Sequence, residues 1–121
     1  MSSNDGPDIQ IVRAEATDPV IFGDNGAMAS RRLIRRDMGS ERVSLNYTVT
    51  QATSEEFDSN YPDHDELMFV ISGVGEITWG DGQSARLTSG TAVFVPRGRS
   101  YVYRVIKAPQ EAVVVFGPAM S

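Results

Sequence analysis

The sequence contains no cysteine, so the chain has no disulfide, no thiolate-bound metal and no cysteine nucleophile. It also lacks any apolar run close to the ~20 residues that a membrane-spanning helix needs. The polar start of the sequence, from Met1 to Pro7, has no apolar signal-peptide core. We therefore expect a cytoplasmic protein that does not act on membranes.

Basic residues are in the minority, with 11 Lys and Arg against 16 Asp and Glu, and the formal net charge is -5. An acidic chain lacks the positive surface that nucleic acids and anionic membranes attract, so we expect neither as a partner. The 121 residues, of which 40% are hydrophobic, suit one globular domain. A chain of this size buries only about two-thirds of its unfolded surface, so we expect a homodimer that covers more apolar area.

The first part of the chain gives weak signals. Residues 1–8 are polar and are predicted to be a disordered tail, which leaves residues 9–121 for the folded domain. Short β-like runs occupy residues 9–12 and 20–22. The arginine-rich stretch 31–38 fits either a short helix or a charged edge strand, and its arginines suit a solvated edge, a dimer contact or an anion site.

From residue 43 onward the pattern is that of β-strands. Apolar Val43, Leu45, Tyr47 and Val49 alternate with polar residues, which predicts one apolar and one polar face. A polar loop is predicted over residues 53–65, and Asp81-Gly82 is a strong hairpin signal. Further turns are expected at residues 73–75 and at Ala108-Pro109. The remaining strands are predicted at 67–72, 76–79, 84–87, 91–95, 101–106 and 112–116. So many short strands without an amphipathic helix predict a β-sandwich or barrel.

Two segments resemble the cupin motifs. Glu66 and Gly73, with six residues between them, resemble the second half of the first motif. The segment from residue 90 to residue 101 resembles the second motif, G-x5-P-x-G-x2-H. Its matching positions are Gly90, Pro96 and Gly98, with Tyr101 at the place of the histidine. The chain is thus similar to small single-domain cupins, most of all the ethanolamine-utilisation branch. This resemblance implies an all-β cupin barrel, the double-stranded β-helix or jelly roll.

The resemblance also identifies where a metal would bind. Metal-binding cupins use two histidines in H-x-H, a glutamate and a later histidine. Here the H-x-H positions fall at Asn60 and Pro62, or one residue earlier in each case, and the later position is Tyr101. Only the glutamate, Glu66, is retained. The standard site of three histidines and one glutamate is therefore not expected, and the cofactor is left unknown.

His64 is the single histidine of the sequence, two residues before Glu66. On a continuous strand the two side chains would face the same way. His64, Glu66 and Tyr101 then form either a weak three-ligand metal site or an acid/base group. The alternative is a solvated histidine in an exposed loop.

Glu66 and Tyr101 are the leading catalytic candidates, with His64 beside them. If Glu66 is buried, desolvation raises its pKa and suits it to proton transfer, whereas an alternative is a leftover carboxylate at the pocket mouth. Tyr101 and Tyr103 share the strand face that the motif register points into the barrel, and Tyr47 is expected to join them. Their alternative role is aromatic core packing.

Three further residues are candidates for substrate binding. Asn46 and Asn60 are candidates for hydrogen bonds to a substrate. Arg97, beside the barrel mouth, suits a carboxylate or phosphate group, the alternative being an exposed charge on a turn.

Three functions remain open. The first is an enzyme that acts on a small polar metabolite by acid/base chemistry, as a lyase, isomerase, dehydratase or cyclase, in which Tyr101 steadies a developing oxyanion. The second is a non-catalytic module for ligand binding or assembly. The third is a metal-dependent cupin enzyme with an altered ligand set. In each case the expected partners are a small-molecule ligand and a second copy of the chain.

Overall fold

Antiparallel strands make up most of the protein. The computed structural model describes residues 7–23, 25–52 and 55–120. Within these residues two short 3₁₀ turns, Ala14–Ala16 and Arg36–Met38, accompany eight strands. The strands are β1 (Val20–Phe22), β2 (Met28–Ile34), β3 (Ser44–Thr50), β4 (Glu56–Ser59), β5 (Asp65–Trp79), β6 (Gln83–Leu87), β7 (Ala92–Val95) and β8 (Tyr101–Gly117).

The two longest strands, β5 and β8, pair along their whole length and frame the barrel. The sheet order is β1-β2-β3-β8-β5-β6, with β4 paired to β8 and β7 paired to β5. One wall contains β1, β2, β3 and β7 with residues 65–72 and 110–117 of the long strands. The other wall contains β4 and β6 with residues 74–79 and 101–107. The two walls face each other, so the fold is an all-β cupin barrel.

The walls meet where β5 and β8 bend. The register of the pair shifts between Val70 and Gly75, and Gly73 has a φ of +78°. A Cβ on Gly73 would stand 2.4 Å from the carbonyl oxygen of Pro109 and 2.7 Å from the Cα of Gln110. Only glycine fits both this close approach and this left-handed backbone. Gly73 therefore allows the two strands to bulge and fold over.

Several details differ from the sequence-based expectations. The turns expected at residues 73–75 and at Ala108-Pro109 are wrong, because β5 and β8 continue pairing through this bulged region. Residues 9–12 form no strand, and the loop expected at 53–65 contains β4. The stretch 31–38 continues β2 as far as Ile34 and then forms the 3₁₀ turn, and β2 lies between β1 and β3 instead of at the sheet edge. The hairpin at Asp81-Gly82 is confirmed.

The core lies between the walls on the side of the bend. Val70 and Val105 are fully buried, one from each wall, and Leu87 of β6 is nearly so. On β3 the arrangement is reversed, because polar Ser44 and Thr50 are buried inside while the apolar alternate residues face outward. The barrel interior is therefore partly polar, as a binding cavity requires.

The described part of the chain contains no helix that is long and apolar enough to cross a membrane. Residues 1–6 of the expected disordered tail lie outside the described residues, so the boundary at residue 9 stays a prediction.

Candidate active site

A cavity of about 570 Å³ lies between the two walls of the barrel. Its lining combines carboxyl, phenol, amide and guanidinium groups with apolar side chains. The polar lining residues that carry the argument below are Arg32, Asn46, Tyr61, Glu66, Tyr101, Tyr103 and Gln110. A space of this size accommodates one small ligand.

Glu66 and Tyr101 join the two walls at the end of the cavity away from the bend. Glu66 lies near the start of β5, where it pairs with Val95 and Phe116. Tyr101 begins β8 and pairs with Trp79 at the far end of β5. The Tyr101 hydroxyl donates a hydrogen bond of 2.6 Å to Oε1 of Glu66. Both side chains are buried, at 3% and 6% exposure, so the pair is held in an environment of low polarity.

Burial determines how these groups hold protons. Desolvation raises the pKa of the Glu66 carboxyl, and the hydrogen bond from Tyr101 offsets this only in part. The pKa of Tyr101 is raised as well, first by its burial and then by the neighbouring Glu66 charge. Tyr61 shows the same pattern, with burial as the largest cause of its raised pKa. Both tyrosines therefore stay neutral beside a carboxyl that can hold or release a proton, and Tyr101 is the one that donates to it.

Arg32 brings a positive charge into the cavity lining. It lies on β2 beside Asn46 of β3, and its guanidinium carbon stands 5.9 Å from the centre of the Phe22 ring. Among the described residues, Arg32 has no carboxylate partner in an ion pair. Its charge is near enough to Tyr61 to act on the pKa of that phenol. Arg32 is thus available to an anionic group in the cavity.

Tyr103 follows Tyr101 on the same face of β8 and also lines the cavity. It is 6% exposed, and burial raises the pKa of its hydroxyl. The structure therefore brings Glu66, Tyr101 and Tyr103 together in one cavity, in agreement with the motif register.

His64 and Tyr47 lie elsewhere, which corrects two expectations. The Nδ1 atom of His64 is 2.7 Å from the carbonyl oxygen of Pro118, and the side chain does not line the cavity. The chain turns before β5 begins at Asp65, so His64 and Glu66 do not share a continuous strand face. Tyr47 lies on the outer face of β3, where its hydroxyl donates to Glu111.

Asn60 and Arg97 likewise lie outside the cavity, contrary to the expected substrate-binding role. The Asn60 side chain donates to the Ser100 hydroxyl and to the carbonyl oxygen of Gly98, which holds two loops together. Arg97 binds Asp65 through its backbone amide and its guanidinium, and this lowers the pKa of the Asp65 carboxyl. Both polar side chains thus serve local structure.

The donor set does not fit the metal site of the cupin family. The described residues contain no group of three or more His, Cys, Asp and Glu side chains that could hold a metal ion. Glu66 and Tyr101 are bonded to each other, Asn60 is bonded to Gly98 and Ser100, and His64 is turned to Pro118. The weak metal candidates therefore do not form one site, and we derive no reaction step through a metal.

Of the polar lining residues named above, three were not candidates from the sequence, namely Arg32, Tyr61 and Gln110. Arg32 belongs to the arginine-rich stretch for which an anion site was one alternative, and strand alternation on β2 separates it from Arg31. Tyr61 stands at one of the alternative H-x-H positions, but as a residue that is not histidine it was not proposed for the site. Gln110 gave no signal, because it follows an expected break at Pro109.

Comparisons with known proteins agree with this fold. No protein-family model matches the chain. The chain is 27% identical over 113 residues to an L-ectoine synthase from Saccharophagus degradans, covering 92% of this chain and 81% of that protein. A crystal structure of ectoine synthase from P. lautus has a TM-score of 0.82 at 25% identity, covering 93% of this chain and 80% of the other. The EutQ protein of Clostridium difficile has a TM-score of 0.65 at 24% identity, covering 76% and 63%.

Proposed function

This chain has the fold of the small single-domain cupins, and we propose that it is an enzyme that acts on a small polar metabolite in the barrel cavity. The reaction is acid/base chemistry of the lyase or cyclase type, with Glu66 as the proton carrier. The similarity to ectoine synthases, which extends over most of both chains, supports this class of reaction.

The observation that carries the proposal is the buried hydrogen bond between Tyr101 and Glu66. A carboxyl that is buried beside a cavity carries a desolvation cost, which proteins tolerate at sites of function. Because burial raises its pKa, Glu66 holds its proton at a higher pH than an exposed glutamate and is suited to proton exchange with a substrate. The neutral Tyr101 hydroxyl donates its one proton to Glu66. When Glu66 is protonated and can itself act as the donor, this hydroxyl can turn to a developing oxyanion instead.

Arg32 indicates the kind of metabolite. Arg32 has no ion-pair partner in the part of the chain that the structure describes, and a guanidinium in that state in a partly apolar cavity favours a ligand that brings its own negative charge. Asn46 pairs with Arg32 across β2 and β3 and lines the same part of the cavity. We propose that the substrate is a small carboxylic acid, bound by Arg32 and presented to Glu66.

The test is a screen in D₂O that follows proton transfer directly. The protein is incubated with a panel of small hydroxy, amino and keto acids and with ectoine, and ¹H NMR records loss of C–H signals or new products. The expected result is turnover or deuterium exchange of at least one acid. Glu66→Gln should lower its rate by about a hundredfold, because general acid/base catalysis contributes about 10²–10⁴.

Glu111 supplies a matched control for Glu66. Glu111 accepts hydrogen bonds from Tyr47 and Ser72 on the outer face of the barrel, away from the cavity. Glu111→Gln should leave the rate within about twofold of the wild type. An acid that is turned over equally well by Glu66→Gln would contradict the assignment.

The screen also separates the two alternatives. A non-catalytic module would bind an acid, seen as a rise in melting temperature, without turnover or exchange. A metal-dependent enzyme would lose its activity in EDTA and regain it with a specific metal ion.

We also propose that the protein is a homodimer and that it works in the cytoplasm. Support for the dimer comes from the outer apolar face, which we define as Leu67, Phe69, Ile71 and Phe94. These side chains are 42 to 61% exposed. Leu67 and Phe94 are directly paired on neighbouring strands. Such a continuous apolar area is typical of an interface, and a two-fold axis through it would let the same face cover itself. Fractionation of the source cells would test the cytoplasmic location.

A further inference from the structure

Gln110 is a buried side chain that the acid/base site does not use. It is 1% exposed and lines the cavity where β8 leaves the bend. Its Nε2 atom has no hydrogen-bond partner within the described residues. A buried amide N–H without a partner costs about 1–3 kcal/mol. Unpaired polar groups in native proteins are rare, so a partner from outside the chain, a bound water or a ligand group, is expected here.

The surroundings of Gln110 have space for its amide because residue 75 is glycine. A Cβ on Gly75 would stand 2.7 Å from Nε2 of Gln110 and 3.2 Å from Cε2 of Tyr103. Gln110 and Tyr103, one from each wall, are thus neighbours. Within the described residues the Tyr103 hydroxyl makes no side-chain hydrogen bond, and burial alone raises its pKa. Two unused hydrogen-bonding groups therefore converge near the bend.

This polar pair lies apart from the groups assigned to proton transfer and to binding of the substrate carboxylate. Tyr103 is two residues closer to the bend than Tyr101, which is about 7 Å along a strand. Arg32 and Asn46 are level with Val114 of β8, four residues from Gln110 and therefore roughly 13 Å along the strand. The end of the cavity near the bend is thus separate from the end that holds Arg32.

We infer that Gln110 and Tyr103 form a second recognition site, which binds a neutral hydrogen-bonding group, such as a carboxamide or ketone, at the far end of the substrate. The inference rests on the proposed function, since it assumes that Arg32 binds the carboxylate. The terminal torsion of Gln110 exchanges the positions of its oxygen and nitrogen at low cost, so the side chain can offer either a donor or an acceptor. The ligand class is therefore a short acid with a neutral polar end.

The experiment compares pairs of probes that differ only in this end. The carboxamides 4-amino-4-oxobutanoate, 5-amino-5-oxopentanoate and 6-amino-6-oxohexanoate are each matched with the acid that carries an isopropyl group instead. Affinities are measured by NMR titration, and the Gln110 side-chain signal is assigned from its loss in Gln110→Met. We expect at least one carboxamide to bind about tenfold more tightly than its apolar match and to shift that signal.

Four variants make the result specific. Gln110→Met keeps the volume but removes the hydrogen bonds, so the preference for the carboxamide should disappear. Gly75→Ala should reduce it as well, because the added methyl group displaces the amide. Gln83→Met, at an exposed position on β6, is the matched control and should change nothing. Arg32→Gln should weaken both probes of a pair equally.

The outcomes separate the two proposals. If the wild type binds neither probe of any pair up to 20 mM, or shows no preference, the second recognition site is overturned. If the preference survives in Gln110→Met, it is overturned as well. If Arg32→Gln leaves all affinities unchanged while the preference depends on Gln110, the proposed carboxylate site fails and the recognition site stands. If Gln110 only supported the fold, Gln110→Met would lower the urea midpoint of unfolding. If its donor is unpaired, as the recognition site requires, Gln110→Met should leave the midpoint unchanged or raise it.

Discussion

Glu66 combines deep burial with sparse hydrogen bonding. Its side-chain hydrogen bond within the described residues comes from the single hydroxyl of Tyr101. One neutral donor stabilises a carboxylate less than water does, so ionisation of Glu66 opposes folding. The property that suits Glu66 to proton transfer therefore lowers the stability of the protein.

The first prediction concerns the pH dependence of that cost. Because the pKa of Glu66 is raised in the folded chain, its contribution to stability is fully present below the ordinary glutamate pKa and is lost as pH rises through the folded-state value. Each unit of difference between the folded and unfolded pKa is worth about 1.4 kcal/mol. In urea denaturation from pH 4 to pH 8, Glu66→Gln should become progressively more stable relative to the wild type.

Glu111 provides a control of opposite sign. Its hydrogen bonds from Tyr47 and Ser72 lower its pKa, so its contribution is present above the ordinary pKa and is lost as pH falls through the folded-state value. Glu111→Gln should therefore become less stable than the wild type as the pH rises. A constant difference between Glu66→Gln and the wild type over the whole range would contradict the burial argument.

Among the secondary-structure elements, the bent pair of β5 and β8 determines the shape of the cavity. The bend depends on Gly73, whose backbone approaches that of Pro109 and Gln110. A barrel could be inferred from the alternating strands, but this bend could not. The local signal of Gly and Pro is the same for a turn that ends a strand and for a bulge that continues it. Pairing between distant segments decides which one forms.

The second prediction tests the close approach at the bend. Gly73→Ala should lower the free energy of unfolding by at least about 3 kcal/mol, since a left-handed residue costs about 1–2 kcal/mol and the contact with backbone atoms adds to this. Gly90→Ala is the matched control, because Gly90 has a φ of +86° and no atom within 4 Å of the added methyl group. Equal losses in urea denaturation for the two variants would show that crowding at the bend is unimportant.

Strand β3 explains why one site residue was misplaced. Its alternation was clear from the sequence, but which face points inward was not. In an ordinary barrel the apolar face is inside. Here the interior is a partly polar cavity, so Thr48 and Asn46 point inward and Tyr47 points out. Periodicity defines two faces, and only the contents of the barrel decide their direction.

For the molecule as a whole, the outer apolar face would remain exposed to water in a monomer, and a second copy of the chain would cover it. The third prediction is that the wild type sediments with twice the mass of one chain, and that Phe94→Asp shifts it to a monomer. A charge at the centre of a buried apolar contact leaves an unpaired ion there, which costs several kcal/mol. The measurement is analytical ultracentrifugation at micromolar concentration.

Ile9→Asp is the control for this shift, since Ile9 is 89% exposed but belongs to the N-terminal segment and not to the outer apolar face. Its mass should equal that of the wild type. A monomeric wild type, or a dimer that survives Phe94→Asp, would exclude this face as the interface.

The order of the strands in the whole sheet explains which parts of the cavity could be predicted from the sequence. The positions of Glu66, Tyr101 and Tyr103 in the cavity could be predicted because the cupin motifs fix their places in the sheet, while their roles stay predictions. Arg32 and Gln110 reach the cavity through the order of the strands, in which β8 lies between β3 and β5. No local pattern contains that order, so their place in the cavity became visible only in the folded chain.

The hydrogen bond between Glu66 and Tyr101 has one more consequence, because it connects the two walls at the end of the cavity opposite the bend. When Glu66 loses its proton, the bond becomes charge-assisted and therefore stronger. The hydrogen bond between the walls is thus weakest when the Glu66 carboxyl is neutral and strongest when it is ionised and can accept a proton. Protonation of Glu66 therefore sets two things at once, the strength of the bond between the walls and the ability of the carboxyl to act as a base.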